Sequence, residues 1–422
     1  MFVLIDCNNF FVSCERLFRP DLENRPVVVL SSNDGCAVSR SNEAKALGIP
    51  MGAPAFKYKE LFKREGVVSF SANFELYGNI ARRITNILSD ITPRIEVYSI
   101  DESFLDISKL DISDFHAWGV SVRDRILHEV GVPVSLGIAP TKTLAKLASI
   151  IAKKDASLNG ALTITETNRE TYLAHFPIED IWGVGWRLAP RLKAEGVATA
   201  LQLADMRPQY AQQLMGITGR QMVAELNGAL CFPLHRLKSV RKSIMRGRTF
   251  GEDTNQEHVI EAAITTLITQ AAFRLRSEGQ AARRVALMLE TNKHKPGYRR
   301  WYREIVLPHP TNDSGQLITA LIEEFAQIYN PAQAYHRANT FLYDFVPADR
   351  MQTDILGTLD PAKYDRSAAR MTAVDAINNR FGRRHIYYAA EDLSKAWQPR
   401  RKIRSPRYVS RWDELPVAKI VQ

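Results

Sequence analysis

Cysteine is scarce in this sequence, and no long apolar run occurs in it. The four cysteines, Cys7, Cys14, Cys36 and Cys231, show no Cys-x-x-Cys spacing, so neither a zinc site nor a disulfide framework is indicated. No apolar stretch approaches the roughly 18 residues of a membrane-spanning helix. The first apolar run reaches Asp6 with no Lys or Arg before it, which is unlike a signal peptide. We therefore expect a soluble, cytoplasmic protein with no membrane association.

Basic residues exceed acidic ones by 10, and the excess lies after residue 236. Residues 1–236 hold 26 Lys and Arg against 26 Asp and Glu, residues 237–355 hold 16 against 13, and residues 356–422 hold 14 against 7. The stretch 236–248 has six basic residues and no acidic one, and a second basic cluster lies at 400–411. Such clusters are typical of proteins that bind a phosphate backbone, although solvated linker and tail charges give the same composition.

Three acidic residues end or interrupt strand-like apolar runs. Asp6 follows the apolar run 2–5, and Asp101 and Glu102 are adjacent within the run 98–104. Adjacent carboxylates in a half-buried segment repel each other, and a bound cation relieves that repulsion. Oxygen ligands favour Mg²⁺, and two such ions about 4 Å apart serve nucleotidyl transfer. We expect the Asp-Glu pair at a hairpin end, although an isolated pair of this kind is typical of an exposed turn.

Length and periodicity predict several domains of mixed α and β structure. A chain of 422 residues exceeds the about 250 to 300 residues of one hydrophobic core. Residues 2–6 and 26–31 have the pattern of buried strands, and residues 114–130 that of a helix. Residues 141–154 predict an amphipathic helix with a basic face. A P-loop is excluded there because Thr141 occupies the position that requires glycine.

Two glycines, Gly183 and Gly185, lie between apolar positions spaced as in two short helices. Over residues 181–205 this is the pattern of a helix-hairpin-helix, whose hairpin amides bind a DNA phosphate without reading bases. A plain turn between helices is the alternative. A dinucleotide-binding turn is excluded because no strand precedes the glycines and the third glycine is missing.

Several motifs occur in the order seen in Y-family translesion DNA polymerases. The resemblance rests on residues 6–11, 43–48, 99–102, 141–146 and 183–185, and the tail at 389–397 and 405–416 is similar to that of the UmuC type. It implies an α+β multidomain right hand with palm, fingers and a helix-hairpin-helix thumb, plus an αβ little-finger domain. The implied boundaries are a palm at 1–170 with fingers inserted at about 19–77, a thumb at 171–236, a basic linker at 237–242, a little finger at 243–346 and a basic C-terminal tail at 347–422.

The resemblance also implies roles for individual residues. Asp6, Asp101 and Glu102 would bind two Mg²⁺ ions, assisted by the main-chain carbonyl of Cys7. Phe11 falls at the steric gate, a ring that clashes with a ribose 2′-hydroxyl, where the UmuC type usually has tyrosine. The residues implied to contact the nucleotide are Phe10, Phe11, Ser39, Asn42, Lys45 and Lys153. The residues expected to contact DNA are Gly183, Gly185, Lys238, Arg241, Lys242, Arg246 and Arg248.

The implied function is error-prone, DNA-directed DNA synthesis past lesions in the SOS response. The implied substrates are primer-template DNA and deoxynucleoside triphosphates, and the implied partners are a processed UmuD-type accessory dimer, a RecA filament and a sliding clamp. Gln352, Ile355 and Leu356 resemble a clamp-binding peptide, although ordinary linker sequence of this kind also arises by chance. The alternatives are a catalytically silent DNA-binding scaffold of the same fold and a two-metal nuclease, which strand-end acids would serve equally well.

Overall fold

The computed structural model describes residues 1–235, 241–349, 360–382, 385–391 and 396–417. The chain divides into two units, Met1–Lys238 with Lys402–Gln422, and Ser239–Arg401. The first unit therefore contains both the N-terminal and the C-terminal segments. In these described parts of the chain, no helix has the length and apolar character needed to cross a bilayer.

The first unit combines two sheets with helices. Its strands are β1 (Phe2–Cys7), β2 (Val27–Leu30), β3 (Ala37–Arg40), β4 (Val68–Ser71), β5 (Ile95–Val97), β6 (Glu102–Asp106), β7 (Val134–Ala139) and β8 (Ala161–Thr163). Its helices are α1 (Phe10–Arg16), α2 (Asn42–Ala46), α3 (Lys59–Arg64), α4 (Phe74–Ile91), α5 (Phe115–Val130), α6 (Lys142–Lys154), α7 (Arg169–His175), α8 (Leu188–Ala194), α9 (Ala200–Ala204), α10 (Pro208–Met215) and α11 (Ile217–Leu226).

Strand β1 is the middle of a five-stranded sheet with the order β5-β6-β1-β7-β8. It is antiparallel to both neighbours. Phe2 and Leu4 pack in the core shared with α6, whereas Ile5 and Cys7 pack in the core shared with α4. The run is continuously apolar because both faces are buried. Asp6 is the first charged residue of the strand and stands at its end.

Helix α6 lies close against β7 because Gly137 leaves room for it. A Cβ atom at Gly137 would lie 1.9 Å from the carbonyl oxygen of Ala145. The helix begins after Thr141, whose side chain accepts a hydrogen bond from the Leu144 amide as an N-cap. This close packing places the predicted basic face of α6 beside the end of β1.

A smaller sheet, with the order β3-β2-β4, carries helix α2. Strand β2 is fully buried, antiparallel to β3 and parallel to β4. Its residues Val28 and Leu30 pack against Ala44 of α2 and Ile49. This packing fixes α2, and with it Lys45, relative to the sheet. Helices α7 to α11 share the core of α6.

The second unit is a four-stranded antiparallel sheet covered by helices. Its elements are β9 (Ser243–Thr254), α12 (Glu257–Ser277), β10 (Gln280–Thr291), β11 (Arg300–Thr311), α13 (Ser314–Ile328), β12 (Tyr335–Pro347) and α14 (Pro361–Phe381). The strand order is β11-β10-β12-β9, and α12 and α13 share one core with the sheet. Helix α14 lies in the stretch expected to be a tail. Its sequence is mostly polar and buries Met371, so apolar periodicity gives little sign of it.

Candidate active site

Asp6 and Glu102 lie opposite each other on the adjacent strands β1 and β6. Directly opposed residues of an antiparallel pair direct their side chains to the same face of the sheet. Asp101 immediately precedes β6, and its carbonyl oxygen accepts a hydrogen bond from the Cys7 amide at 2.9 Å. The three acidic residues therefore lie at one end of the central sheet, beside the β5–β6 turn.

Two lysines of α6 pair with these carboxylates. Lys153 Nζ lies 2.9 Å from Asp6 Oδ1, and Lys146 Nζ lies 2.7 and 2.9 Å from the two carboxylate oxygens of Glu102. The lysines are seven residues apart, which is about two helical turns, so they share a face of α6. The motifs assign a role to Lys153 but none to Lys146. Lys146 ends the motif 141–146, and its seven-residue spacing from Lys153 on a predicted basic helix also points to it.

The Asp101 carboxylate lies apart from these ion pairs. Its Oδ1 accepts a hydrogen bond from the Ser99 hydroxyl, and Asp101 lines a small pocket with Ile5 and Cys7 on the α4 side of the sheet. The structure thus brings Asp6 and Glu102 together and holds Asp101 at the same strand end. Among the described residues, no three His, Cys, Asp or Glu side chains already lie close enough together to hold a metal.

Burial and mutual repulsion make this strand end suited to a cation. Burial raises the pKa of Glu102, Lys146 opposes that shift, and the charges of Asp6 and Asp101 add to it. Burial raises the pKa of the Cys7 thiol, with Asp6 and Asp101 contributing. Carboxylate oxygens are the hard donors that Mg²⁺ prefers, whereas the buried Cys7 thiol is not. A divalent ion therefore fits the donor set.

Phe11 lies in the first turn of α1 and belongs to an aromatic cluster. Its ring stacks on Tyr77 with the centroids 4.5 Å apart and the planes at 13°. It meets Phe74 edge-on at 5.9 Å. Phe10 is buried in the core, whereas Phe11 is partly exposed. Of the two phenylalanines, only Phe11 therefore has a surface that a nucleotide can reach.

Asn9 connects the end of β1 to α2 and β3. Its side-chain oxygen accepts a hydrogen bond from Lys45 Nζ at 2.6 Å, and its Nδ2 donates to Asn42 Oδ1 at 3.0 Å. Its carbonyl oxygen accepts from the Ser39 hydroxyl at 3.3 Å. Three residues predicted to contact the nucleotide thus surround Asn9, to which the motifs give no role. Its backbone is left-handed, with φ of 49°, a conformation that asparagine tolerates better than most residues.

Positive charge accumulates around Lys45. Burial lowers the pKa of Lys45, and the charges of Lys153 and Arg40 lower it further, against a smaller opposing effect of Asp6. Like charges held together in this way favour an anionic ligand, because the ligand relieves their repulsion. Lys45 and Lys153 therefore form a cationic pair at the rim of the strand-end acids.

The turn that carries Gly183 and Gly185 has the conformation that glycine allows. Gly183 has φ of +94°, and a Cβ atom there would lie 2.7 Å from Met222 Cε. Helix α8 follows the turn as expected. Helix α9 follows α8, so the stretch 181–205 contains two short helices, as predicted.

Replacing Gly183 by alanine is expected to destabilise the protein by about 1 to 3 kcal/mol, because the positive φ and the contact with Met222 both oppose a side chain. The midpoint of chemical denaturation measures the loss. Gly185→Ala is the matched control, since a Cβ atom there meets nothing within 4 Å. Equal destabilisation by both substitutions would contradict the assignment.

Sequence profiles of known families match most of the chain. The impB/mucB/samB family matches residues 5–150, the C-terminal domain of the same family matches 241–355, and the HHH motif of the IMS family matches 166–197. A profile described as a domain of unknown function matches residues 369–418.

Curated relatives align with the whole chain. SamB of Salmonella typhimurium is 36% identical over 427 residues, which cover 100% of both chains. The chain belongs to the impB/mucB/samB family. UmuC of Salmonella typhimurium is 37% identical and aligns over 98% of this chain and 99% of its own. DNA polymerase IV of Moorella thermoacetica is 29% identical, over 92% of this chain and 95% of its own.

Solved structures share the fold of this impB/mucB/samB family member. A Y-family DNA polymerase chimera aligns with a TM-score of 0.63 and 21% identity, over 82% of this chain and 99% of that chain. The insertion ternary complex of Dbh DNA polymerase gives a TM-score of 0.54 at the same identity and coverage. The predicted Y-family fold, with its helix-hairpin-helix and little-finger-like domain, is confirmed. The predicted resemblance to the UmuC type is also confirmed.

The arginines of β9 lie on the helix side of the sheet in this family member. Residues two apart along a strand share a face, so Arg246 and Arg248 lie on the same face of β9 as Ile244 and Phe250. Ile244 and Phe250 are buried in the core shared with α12. Both arginines line a cavity of about 750 Å³ between α12 and α14. The structure therefore does not place them on the open face of the sheet, and their predicted contact with DNA stays a prediction.

The remaining predicted contacts lie at the edges of the described regions. Arg241 pairs with Glu278 at 2.9 Å, and Lys242 is exposed. The predicted residues that lie outside the described residues are Lys238, Gln352, Ile355 and Leu356.

Proposed function

We propose that this protein is a DNA-directed DNA polymerase that extends a primer across damaged template bases in the cytoplasm. The observation that carries the proposal is the pairing of Asp6 with Glu102 at the end of the central strand, beside the cationic pair Lys45 and Lys153. The shared fold and the full-length similarity to UmuC support it. Error-prone synthesis in the SOS response is proposed from the resemblance to the UmuC type.

We propose two Mg²⁺ ions as cofactors, held by Asp6, Asp101, Glu102 and the main-chain carbonyl of Cys7. When bound, such ions supply charge neutralisation at the triphosphate and a lower pKa of the primer 3′-hydroxyl. Without substrate, Lys146 and Lys153 balance the carboxylates and so reduce the repulsion between Asp6 and Glu102. Lys153 stands where its ammonium group can leave Asp6 for a phosphate oxygen.

The proposed substrates are primer-template DNA and deoxynucleoside triphosphates. Lys45, oriented by Asn9, would contact the triphosphate together with Lys153, and Phe11 would face the sugar. The turn at Gly183 and Gly185 would hold a DNA phosphate through its amides. A processed UmuD-type dimer, a RecA filament and a sliding clamp are proposed as partners on the family resemblance alone.

Nucleotide affinity is expected to fall as the pH rises through the lowered pKa of Lys45. Burial and the charges of Lys153 and Arg40 lower this pKa, so the ammonium loses its proton at a lower pH than an ordinary lysine does. The effect is measured as equilibrium binding of a deoxynucleoside triphosphate to the complex of the protein with primer-template DNA, whose primer ends in a dideoxynucleotide so that no extension occurs. Lys45→Arg keeps its charge, so its affinity should stay level over the same interval. A parallel fall in both proteins would contradict the role of Lys45.

Extension of a primer across an abasic site with Mg²⁺ tests the proposed function. We expect growth of the primer at and beyond the abasic position. Reactions with and without the accessory proteins are run separately. Asp101→Ala should abolish extension. A silent scaffold would bind the DNA without extending it, and a nuclease would shorten the primer. An undamaged template separates lesion bypass from synthesis in general.

A further inference from the structure

The C-terminal segment 402–409 belongs to the first unit and packs along β4. Ser71 donates its amide hydrogen to the carbonyl of Ile403 at 3.0 Å, and the Ile403 amide donates to the Ser71 hydroxyl at 3.2 Å. Arg404 forms a parallel bridge with Ser71. The segment thus adds one backbone hydrogen bond and one bond to a serine hydroxyl at the edge of the smaller sheet, although more than 300 residues separate the two in sequence.

Two side chains, Tyr408 and Arg404, anchor the segment. Tyr408 stacks on Phe18 with the centroids 4.4 Å apart and the planes at 7°. It is 8% exposed and belongs to the core of the central sheet. Arg404 pairs with Glu75 at 2.7 Å. The segment is therefore part of the packed unit and not a surface appendage.

Between these anchors, Ser405 joins a buried chain of hydrogen bonds. Asn73 Nδ2 donates to Ser405 Oγ at 3.0 Å, and Ser405 Oγ donates to Glu15 Oε1 at 3.1 Å. The Tyr77 hydroxyl donates to the same Glu15 oxygen at 2.6 Å. The exposed fractions of the members are 0% for Glu15 and Tyr77, 1% for Asn73 and 5% for Ser405.

The last member of this chain of hydrogen bonds is Tyr77, whose ring stacks against Phe11. A hydrogen bond to a carboxylate oxygen fixes the direction of the donor, which an apolar contact does not. The position of the Tyr77 ring is therefore tied to Glu15, and the stacked contact at 13° passes that position to Phe11. The other Glu15 oxygen, Oε2, is buried and has no hydrogen-bond partner in the described part of the chain, so Ser405 and Tyr77 fix the orientation of this carboxylate.

We propose that Ser405 and Glu15 are positioning residues for the steric gate. Through the Tyr77 hydroxyl they hold the ring against which Phe11 stacks, and sugar selection by the polymerase therefore depends on its C-terminal segment. This rests on the proposed role of Phe11. It also gives a function to part of the stretch that matches a domain of unknown function, residues 369–418.

The ratio of kcat/KM for a deoxynucleotide to that for the matching ribonucleotide tests the proposal in the full-length protein. Ser405→Ala removes both buried hydrogen bonds of this hydroxyl, the one from Asn73 and the one to Glu15, and is expected to lower this ratio about fivefold. Tyr77→Phe removes the bond from the other end of the chain, keeps the stacked ring and should give a similar loss. Partial unfolding lowers both kcat/KM values together, so it leaves the ratio unchanged.

Matched controls separate positioning from general stability. Ser410→Ala removes a hydroxyl from an exposed serine directly after the same segment and should leave the ratio unchanged. Glu15→Gln keeps an oxygen that can accept both hydrogen bonds and should retain more of the ratio than Glu15→Ala. In a Phe11→Ala background, Ser405→Ala should lower the ratio no further, because the coupling runs through the Phe11 ring.

Two results would count against the proposal in distinguishable ways. In the first, the ratio falls in Phe11→Ala but is unchanged in both Ser405→Ala and Tyr77→Phe. This result would overturn the positioning role and leave the gate in place. An unchanged ratio in Phe11→Ala would remove the gate, and the positioning role with it.

Discussion

Replacing Asp6 by asparagine is expected to lower the rate of nucleotide incorporation by about a thousandfold, because the amide keeps the shape of the side chain but removes the charge that the proposed ions require. It also removes the negative partner of Lys153 and the carboxylate that lies opposite Glu102. Single-turnover extension of an undamaged primer-template with Mg²⁺ measures the loss. DNA affinity should change little, since the contacts expected to hold DNA lie in other elements.

The control for this substitution is Asp111→Asn, which removes one negative charge from an exposed residue of the same unit. Its activity should match that of the parent protein. Asp101→Ala and Glu102→Gln should resemble Asp6→Asn if the three acids act together. Full activity of Asp6→Asn, at unchanged stability against denaturant, would exclude the two-metal proposal.

Replacing Phe11 by alanine is expected to lower the discrimination between deoxyribonucleotides and ribonucleotides about a hundredfold, which corresponds to relief of a steric clash of about 3 kcal/mol. Tyr77 and Phe74 remain in place, so the backbone of α1 need not move. Incorporation of each sugar opposite the same template base, as kcat/KM, measures the change.

Phe11→Tyr is the control for gate bulk. It keeps the ring, adds the hydroxyl that the UmuC type usually carries, and should preserve discrimination. Loss of selectivity in Phe11→Tyr as great as in Phe11→Ala would show that ring bulk is not what excludes the ribose. Incorporation of ribonucleotides by Phe11→Ala no faster than by the parent would refute the assignment altogether.

The strand-end acids could be predicted from the sequence because local pattern determines them. An apolar run that ends in Asp6 and a second that contains Asp101 and Glu102 both point to strands with charged ends. The pairing of Asp6 with Glu102 does not follow from this pattern, because a strand that is apolar on both faces does not penalise a slip of one residue. The fold could also be predicted, because several short motifs occur in the order typical of one family.

Other features of the site depend on packing between distant segments. Lys146 acts on Glu102 because Gly137 lets α6 approach the sheet, and Asn9 acts on Lys45 because β2 positions α2. Neither approach has a signature in local periodicity. The same applies to Ser405, whose hydroxyl gains its role from residues near the N-terminus. The face of the sheet on which Arg246 lies depends on the alternation of side chains along β9, and composition does not reveal it.

The return of the C-terminal segment to β4 has a consequence for biosynthesis. Ser71 and Ile403 are separated by 332 residues. At about 5 to 20 residues per second, a ribosome takes roughly 20 to 60 seconds to make that interval. During this time Glu15 and the Ser71 amide have no native partner from residues 403 to 405. A nascent chain that has not yet reached residue 405 therefore holds an incomplete form of the unit that carries the proposed active site.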